Sequence, residues 1–151
     1  MDSLINRKVL CKSIDDTFNL ASKVAKCLPI DSSLALIGNL GSGKTTFVKG
    51  LAREFGIAQV VNSPSFNIFN IYHGAVTLLH VDAYRLNGTK STTDGLMIDD
   101  FLISPYCLAV EWPEKFYNFD KICNFKISFE IAESSSSREI CIVRAGNRAD
   151  H

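Results

Sequence analysis

The sequence predicts an α/β fold in three layers, with a mixed parallel/antiparallel central sheet flanked by helices. Three observations carry that expectation. Two apolar runs of strand length, Leu34-Ala35-Leu36-Ile37 and Cys107-Leu108-Ala109-Val110, are uninterrupted, as in strands covered on both faces. Segments of helical period lie on either side of the first run. Two further pairs of short segments have the turn residues and alternation of antiparallel hairpins.

Taken in chain order, Ser13 followed by Asp16 has the form of a capping box, and Phe18, Ala21, Val24, Ala25 and Leu28 recur at helical spacing as far as Pro29. A helix is expected over residues 14–28. The strand Leu34-Ala35-Leu36-Ile37 then runs straight into a glycine-rich stretch, residues 38–43. From Lys44 the positions Phe47, Val48, Leu51, Ala52 and Phe55 give a second helix, with Gly56 as its C-terminal cap. Residues 66–72 and 75–81 flank His73-Gly74 and suit a hairpin, with Asp82 just beyond its second strand. Residues 86–94 are polar, and a short helix is expected over 95–103. The apolar strand at 107–110 ends in Glu111-Trp112-Pro113, where proline stops ladder pairing. Finally Phe125, Ile127, Phe129 and Ile131 alternate with polar residues, the serines at 134–137 turn the chain, and residues 140–143 return as a closing hairpin.

The length of 151 residues, 46% hydrophobic and 21% charged, suits one compact domain over residues 1–151. Sixteen basic side chains balance sixteen acidic ones, so no overall positive field holds a nucleic acid by its phosphates. No apolar run approaches the roughly 20 residues that span a bilayer, and residues 1–16 lack the apolar core of a secretory signal. A cytoplasmic protein with no membrane contact is expected. The five cysteines are scattered without a C-x-x-C pair and read as reduced core thiols rather than as zinc ligands with His73, His80 or His151.

Gly38-Asn39-Leu40-Gly41-Ser42-Gly43-Lys44-Thr45 matches G-x-x-x-x-G-K-[ST] at every fixed position, between a strand and a helix. Such a P-loop turns several backbone N–H groups onto one small volume, which phosphate oxygens fill, and the positive end of the following helix adds to the attraction. The fold expected is therefore P-loop NTPase-like. Gly38, Gly41, Ser42 and Gly43 would form the cradle, Lys44 would reach the β and γ phosphates, Thr45 would ligate magnesium, and Thr46 would add a hydroxyl to the α-phosphate. The dinucleotide fingerprint G-x-G-x-x-G is absent. So is the Asn-Lys-x-Asp element of Ras-type GTPases, which leaves ATP as the expected nucleotide.

A magnesium shell needs a carboxylate, and Asp82 and Glu111 both follow apolar strands. His80 reads as packed or hydrogen-bonded in its strand rather than catalytic. The residues alone leave three classes open: an ATP-hydrolysing accessory enzyme, a small-molecule kinase, and a nucleotide-gated binding module without catalysis. Against the kinase, Arg85 is the only arginine between Arg53 and Arg138, so an arginine-bearing lid is missing.

Four segments in order resemble the bacterial TsaE (YjeE-like) ATPases of tRNA threonylcarbamoyladenosine biosynthesis. They are the phosphate loop at 38–46, Ser63-Pro64-Ser65-Phe66, His80-Val81-Asp82-Ala83-Tyr84-Arg85-Leu86, and Glu111-Trp112-Pro113-Glu114, with Arg138 as a weaker fifth match. The resemblance implies an ATPase acting with two partner proteins, TsaB and TsaD, in the transfer of a threonylcarbamoyl group to adenosine 37 of tRNAs that read codons beginning with A. tRNA would then be met indirectly, through the complex. It also implies that Thr45 and Glu111 hold magnesium, that Asp82 orders the shell or the attacking water, that Ser63-Pro64-Ser65-Phe66 is switch-like, and that Arg138 lies near the nucleotide. Two departures are visible: Ser65 stands where the family usually has threonine, and residues 88–100 match the family's glutamate-rich helix poorly.

Overall fold

The uninterrupted apolar runs become the interior of one sheet. The computed structural model describes residues 1–64, 68–85, 98–116, 119–133 and 136–145. Among them seven strands are found: β1 (Lys8–Cys11), β2 (Ser32–Gly38), β3 (Phe69–Tyr72), β4 (Thr77–Asp82), β5 (Tyr106–Glu111), β6 (Phe125–Ile131) and β7 (Arg138–Arg144). Their order across the sheet is β1-β7-β6-β2-β5-β4-β3. The central strands are parallel, β2 pairing with both β5 and β6, and β4 with β5. The edges are antiparallel, β3 on β4 at one side and β6-β7-β1 at the other. This is the mixed sheet expected from the sequence.

Period-2 geometry sends alternate residues of each strand to opposite faces. On one face Leu34, Leu36, Leu78, Ala109 and Ile127 pack with Leu20, Ala21 and Val24 of α1 (Ile14–Cys27) and Phe47, Val48 and Leu51 of α2 (Lys44–Glu54). On the other, Ala35, Leu79, Val81, Leu108 and Val110 are covered by Ile98, Phe116 and Phe119, the last on the short α3 (Phe119–Ile122). The N-terminus of α1 is capped as its sequence indicates. Asp16 N donates to Ser13 Oγ at 3.1 Å, and Lys12 N donates to Asp16 Oδ2 at 2.9 Å. At the end of α2, Gly56 takes a positive φ of 73° one residue past the Phe55 cap, as a terminating glycine does.

Several boundaries differ from the sequence reading. The second hairpin strand starts at Thr77 rather than residue 75, and Asp82 is its last residue, because Asp82 N still donates to Ile68 O at 2.9 Å and Asp82 pairs in register with Glu111. Within the helix expected over 95–103, the described residues form a 3-10 turn, Ile98–Phe101, with an i to i+3 bond from Leu102 N to Asp99 O ahead of Ser104-Pro105, where a helix does not continue. Its first residues, 95–97, lie outside the described residues, as do Ser65 and Phe66, the polar stretch 86–94, Ser134, Ser135 and His151. β1 and α3 were not expected at all. Of the cysteines, Cys11, Cys107 and Cys123 are buried, Cys141 is half-buried and Cys27 is exposed.

Candidate functional site

The parallel core fixes where the loop opens. β2 ends at Gly38 between β5 and β6, and the chain turns there into α2. The turn depends on Gly41 at φ 77° and Gly43 at φ 104°, conformations that residues with a Cβ rarely adopt. A Cβ at Gly41 would meet nothing within 4 Å, and one at Gly43 only Arg138 Cγ at 4.0 Å, so both positions border open space. The loop forms one wall of a cleft of about 540 Å³ lined also by Thr45, Thr46, Asp82, Glu111, Trp112 and Arg138. That volume lies within the usual range for small-molecule sites.

Each expected site residue can be placed. Lys44 is the first residue of α2, only 6% exposed, and its ammonium donates to Gly38 O. The same Nζ stands 4.3 Å from the centroid of the Trp112 ring, in cation–π contact. Thr45 Oγ1 donates to Glu111 Oε1 at 3.2 Å, so the first turn of α2 and the carboxyl end of β5 meet through a hydroxyl and a carboxylate. Asp82 pairs with Glu111 across β4 and β5 and therefore shares its face of the sheet. Its Oδ1 accepts from Tyr84 N at 3.1 Å. Arg138, at the start of β7, donates from Nη2 to Gly41 O at 3.2 Å and so braces the loop from the far side. Ser42 Oγ is buried with no hydrogen-bond partner among the described residues.

The electrostatics follow from burial and neighbours. Burial pushes the Glu111 carboxyl up, but His80, Lys44 and Thr45 together outweigh it and hold it below its ordinary value. It is a carboxylate at neutral pH. Burial lowers the Lys44 ammonium, against the opposing pull of Glu111, Asp82 and Glu114. The cleft thus holds a fixed cation beside two acids, with a hydroxyl between one acid and the loop.

These residues suit a polyphosphate with a divalent ion. The orphaned Ser42 hydroxyl and the open space over Gly41 and Gly43 fit an oxygen-rich ligand against the loop. Among the described residues no three of His, Cys, Asp and Glu converge as a cage for a metal. Magnesium does not require one, because it is commonly held by one or two side chains together with phosphate oxygens and water.

Three contributors were given no role at the site by the sequence reading. The segment from Cys11 to Ile14, with Thr17, lines the cleft opposite the loop. It is carried there by β1, whose antiparallel pairing with β7 sets Cys11 across from Arg138. The capping box at Ser13 marked a helix start but gave no hint of its place in space. Trp112, known only as part of a resemblance, holds a left-handed φ of 56°, an outlier for an aromatic residue. His80, read as packed or hydrogen-bonded in its strand, is indeed fully buried there, and its Nε2 lies 3.6 Å from Glu111 Oε2.

Comparison with known proteins points one way. The model of a family described as threonylcarbamoyl adenosine biosynthesis protein TsaE matches residues 11–140. The tRNA threonylcarbamoyladenosine biosynthesis protein TsaE of Treponema pallidum is 30% identical over 141 residues, covering 93% of this chain and 96% of that protein. Its counterpart in Aquifex aeolicus is 34% identical over 145 residues, covering 91% and 96%. Among solved structures, the crystal structure of Bacillus subtilis YdiB superposes with a TM-score of 0.72 at 30% identity, over 95% of this chain and 88% of that one.

Proposed function

Because this chain belongs to the TsaE family of threonylcarbamoyl adenosine biosynthesis proteins, we propose that it is a magnesium-dependent ATPase that serves, as an accessory, the complex installing threonylcarbamoyl on adenosine 37 of tRNAs reading codons that begin with A. The observation that carries the ATPase reading is the meeting of Thr45 and Glu111 at 3.2 Å beside the Lys44 loop. A hydroxyl and a carboxylate at the mouth of an amide cradle are the donors a nucleotide-bound divalent ion uses.

In this reading the backbone amides of 41–46 and the Ser42 and Thr46 hydroxyls bind the phosphate chain. Lys44 leaves the Gly38 carbonyl to meet the terminal phosphates. Thr45 and Glu111 hold the ion, and Asp82, next to Glu111 in register, orders its water shell or the attacking water. Magnesium, when bound, supplies neutralisation of the charge that develops on the transferred phosphoryl group. Arg138 fixes the loop through Gly41. The partners are TsaB and TsaD, tRNA is met only through them, and the setting is the cytoplasm. None of the described helices is long and apolar enough to cross a membrane.

Phosphate release tests the proposal. With TsaB and TsaD present, the chain should release phosphate from Mg-ATP without any small-molecule acceptor, and Glu111→Ala should lower turnover by about 10²-fold or more while ATP still binds. Release that requires an added acceptor would favour a kinase. Unaltered ATP after prolonged incubation with both partners would favour a binding module without catalysis.

A further inference from the structure

A fully buried histidine has no evident reason to sit behind the cleft. His80 lies in the middle of β4, two residues before Asp82, and its relative exposure is 0%. Strand alternation puts His80, Asp82 and Glu111 on the same face of the sheet, the one that α1 and α2 cover. Its register partner on β5 is Ala109, a small residue that leaves room for an imidazole beneath Glu111. A histidine kept only for packing ordinarily satisfies at least one ring nitrogen, since an unpaired buried polar atom keeps the full cost of its lost hydration. Here neither Nδ1 nor Nε2 has a hydrogen-bond partner among the described residues. Nε2 instead faces Glu111 Oε2 at 3.6 Å, slightly beyond hydrogen-bond length.

The two carboxylate oxygens of Glu111 are therefore divided. Oε1 accepts from Thr45 on α2, and Oε2 faces His80 on β4. A carboxylate with both oxygens addressed from different elements has its terminal rotation fixed, whereas one held on a single side keeps a wider range about its last bond. We propose that His80 is a positioning residue: its Nε2–H holds Oε2 of Glu111 so that Oε1 stays aligned with Thr45 for the divalent ion. The imidazole touches neither nucleotide nor ion and acts only through the carboxylate, as outer partners of metal-ligating groups do. This rests on the ATPase reading of the cleft and deepens it.

The test separates the two. Calorimetric titration with ATP, in the presence of magnesium and in its absence, gives the factor by which the ion tightens binding, without reference to turnover. Wild type should show a clear tightening. His80→Leu, which keeps the bulk and removes the donor, should lower that factor by about 10-fold to 100-fold and leave magnesium-free affinity unchanged. His80→Gln, whose amide can reach the place of Nε2, should restore most of it. A magnesium effect in His80→Leu equal to that of wild type overturns the positioning role while leaving the ATP site intact. Failure of wild type to bind ATP at all overturns the site itself, and the role with it. If His80→Leu does not fold, long-range proton–nitrogen correlation NMR on the wild-type protein decides. A ring protonated at Nε2 supports the role, and a bare Nε2 facing Glu111 overturns it.

Discussion

Two glycines with nearly the same backbone allow a controlled perturbation of the loop. Gly41 lies at φ 77° and Gly56 at φ 73°, and a Cβ at either would meet nothing within 4 Å. Alanine at each position therefore meets no steric obstacle and pays only the left-handed penalty, about 1–2 kcal/mol. The narrower unfolded ensemble of alanine offsets about 0.4–1 kcal/mol of this, so the net loss of stability is about 0–1.6 kcal/mol. Urea denaturation followed by circular dichroism should find Gly56→Ala in that range and Gly41→Ala at or below it, because a loop that relaxes escapes part of the penalty in the free protein. Their nucleotide affinities should part. Gly41 shapes the phosphate cradle, so an alanine there relaxes the loop toward negative φ, and binding must restore the strained form. That restoration costs about 1–2 kcal/mol, or about 5-fold to 30-fold in Kd for Mg-ATP. Gly56 caps α2 at the far end, and Gly56→Ala should bind as wild type does. Calorimetry on the two variants reads this directly. Equal Kd values for Gly41→Ala and Gly56→Ala would refute the claim that the strained glycine exists to shape a ligand cradle.

Three further outcomes follow from the same structure. Ser13→Ala removes the oxygen that accepts from Asp16 N and should cost about 1 kcal/mol, seen by scanning calorimetry as a fall in Tm of about 2–4 °C. Arg138→Ala releases Gly41 O and should weaken Mg-ATP binding by about 10-fold, the low end for one hydrogen bond to a charged group, with a smaller loss in a urea melt because the bond is exposed. The Cys107 thiol is pushed from an ordinary 9.0 up to about 12 by burial. Above pH 9.0 the unfolded chain loses this proton while the folded chain keeps it, so the contribution to stability is intact below 9.0 and is lost as pH rises toward about 12. The slope is at most about 1.4 kcal/mol per pH unit. Urea melts at about pH 8 and about pH 10 should show a shallower decline for Cys107→Ala than for wild type, and identical declines would contradict this.

Local signals account for what the sequence disclosed. The loop, α1, α2, the strand at Leu34 and the strand at Cys107 carry short-range patterns, either a motif, a cap or an uninterrupted apolar run, and each appears within a few residues of its expected bounds. β1 carries none. Lys8–Cys11 is four residues on a sheet edge, and only pairing with β7, more than a hundred residues away in the chain, makes it a strand. The wall it contributes to the cleft was invisible for the same reason. Over the described part of the helix expected at 95–103 the chain forms a 3-10 turn, Ile98–Phe101, and the sequence does not separate the two because both place an apolar residue inward every three or four positions. Asp82 and Glu111 were found as acids at strand ends, but their pairing across β4 and β5 is a matter of register, which no periodicity supplies. His80 shows the limit most clearly. A lone histidine in an apolar strand reads as packing, and only the register of β4 on β5 brings it beneath Glu111.

The central claim is that Lys44 and the loop around it grip a triphosphate. Calorimetric titration of Mg-ATP into wild type and Lys44→Ala tests it most directly. Lys44 is buried at the loop, where its ammonium meets the Gly38 carbonyl and the Trp112 ring, so its loss should leave the fold in place, checked by circular dichroism. Binding by wild type, with affinity reduced about 10-fold to 100-fold in Lys44→Ala as expected for a buried charge-assisted contact, is the predicted result. Equal affinity in the two folded proteins, or no binding by wild type, would contradict it.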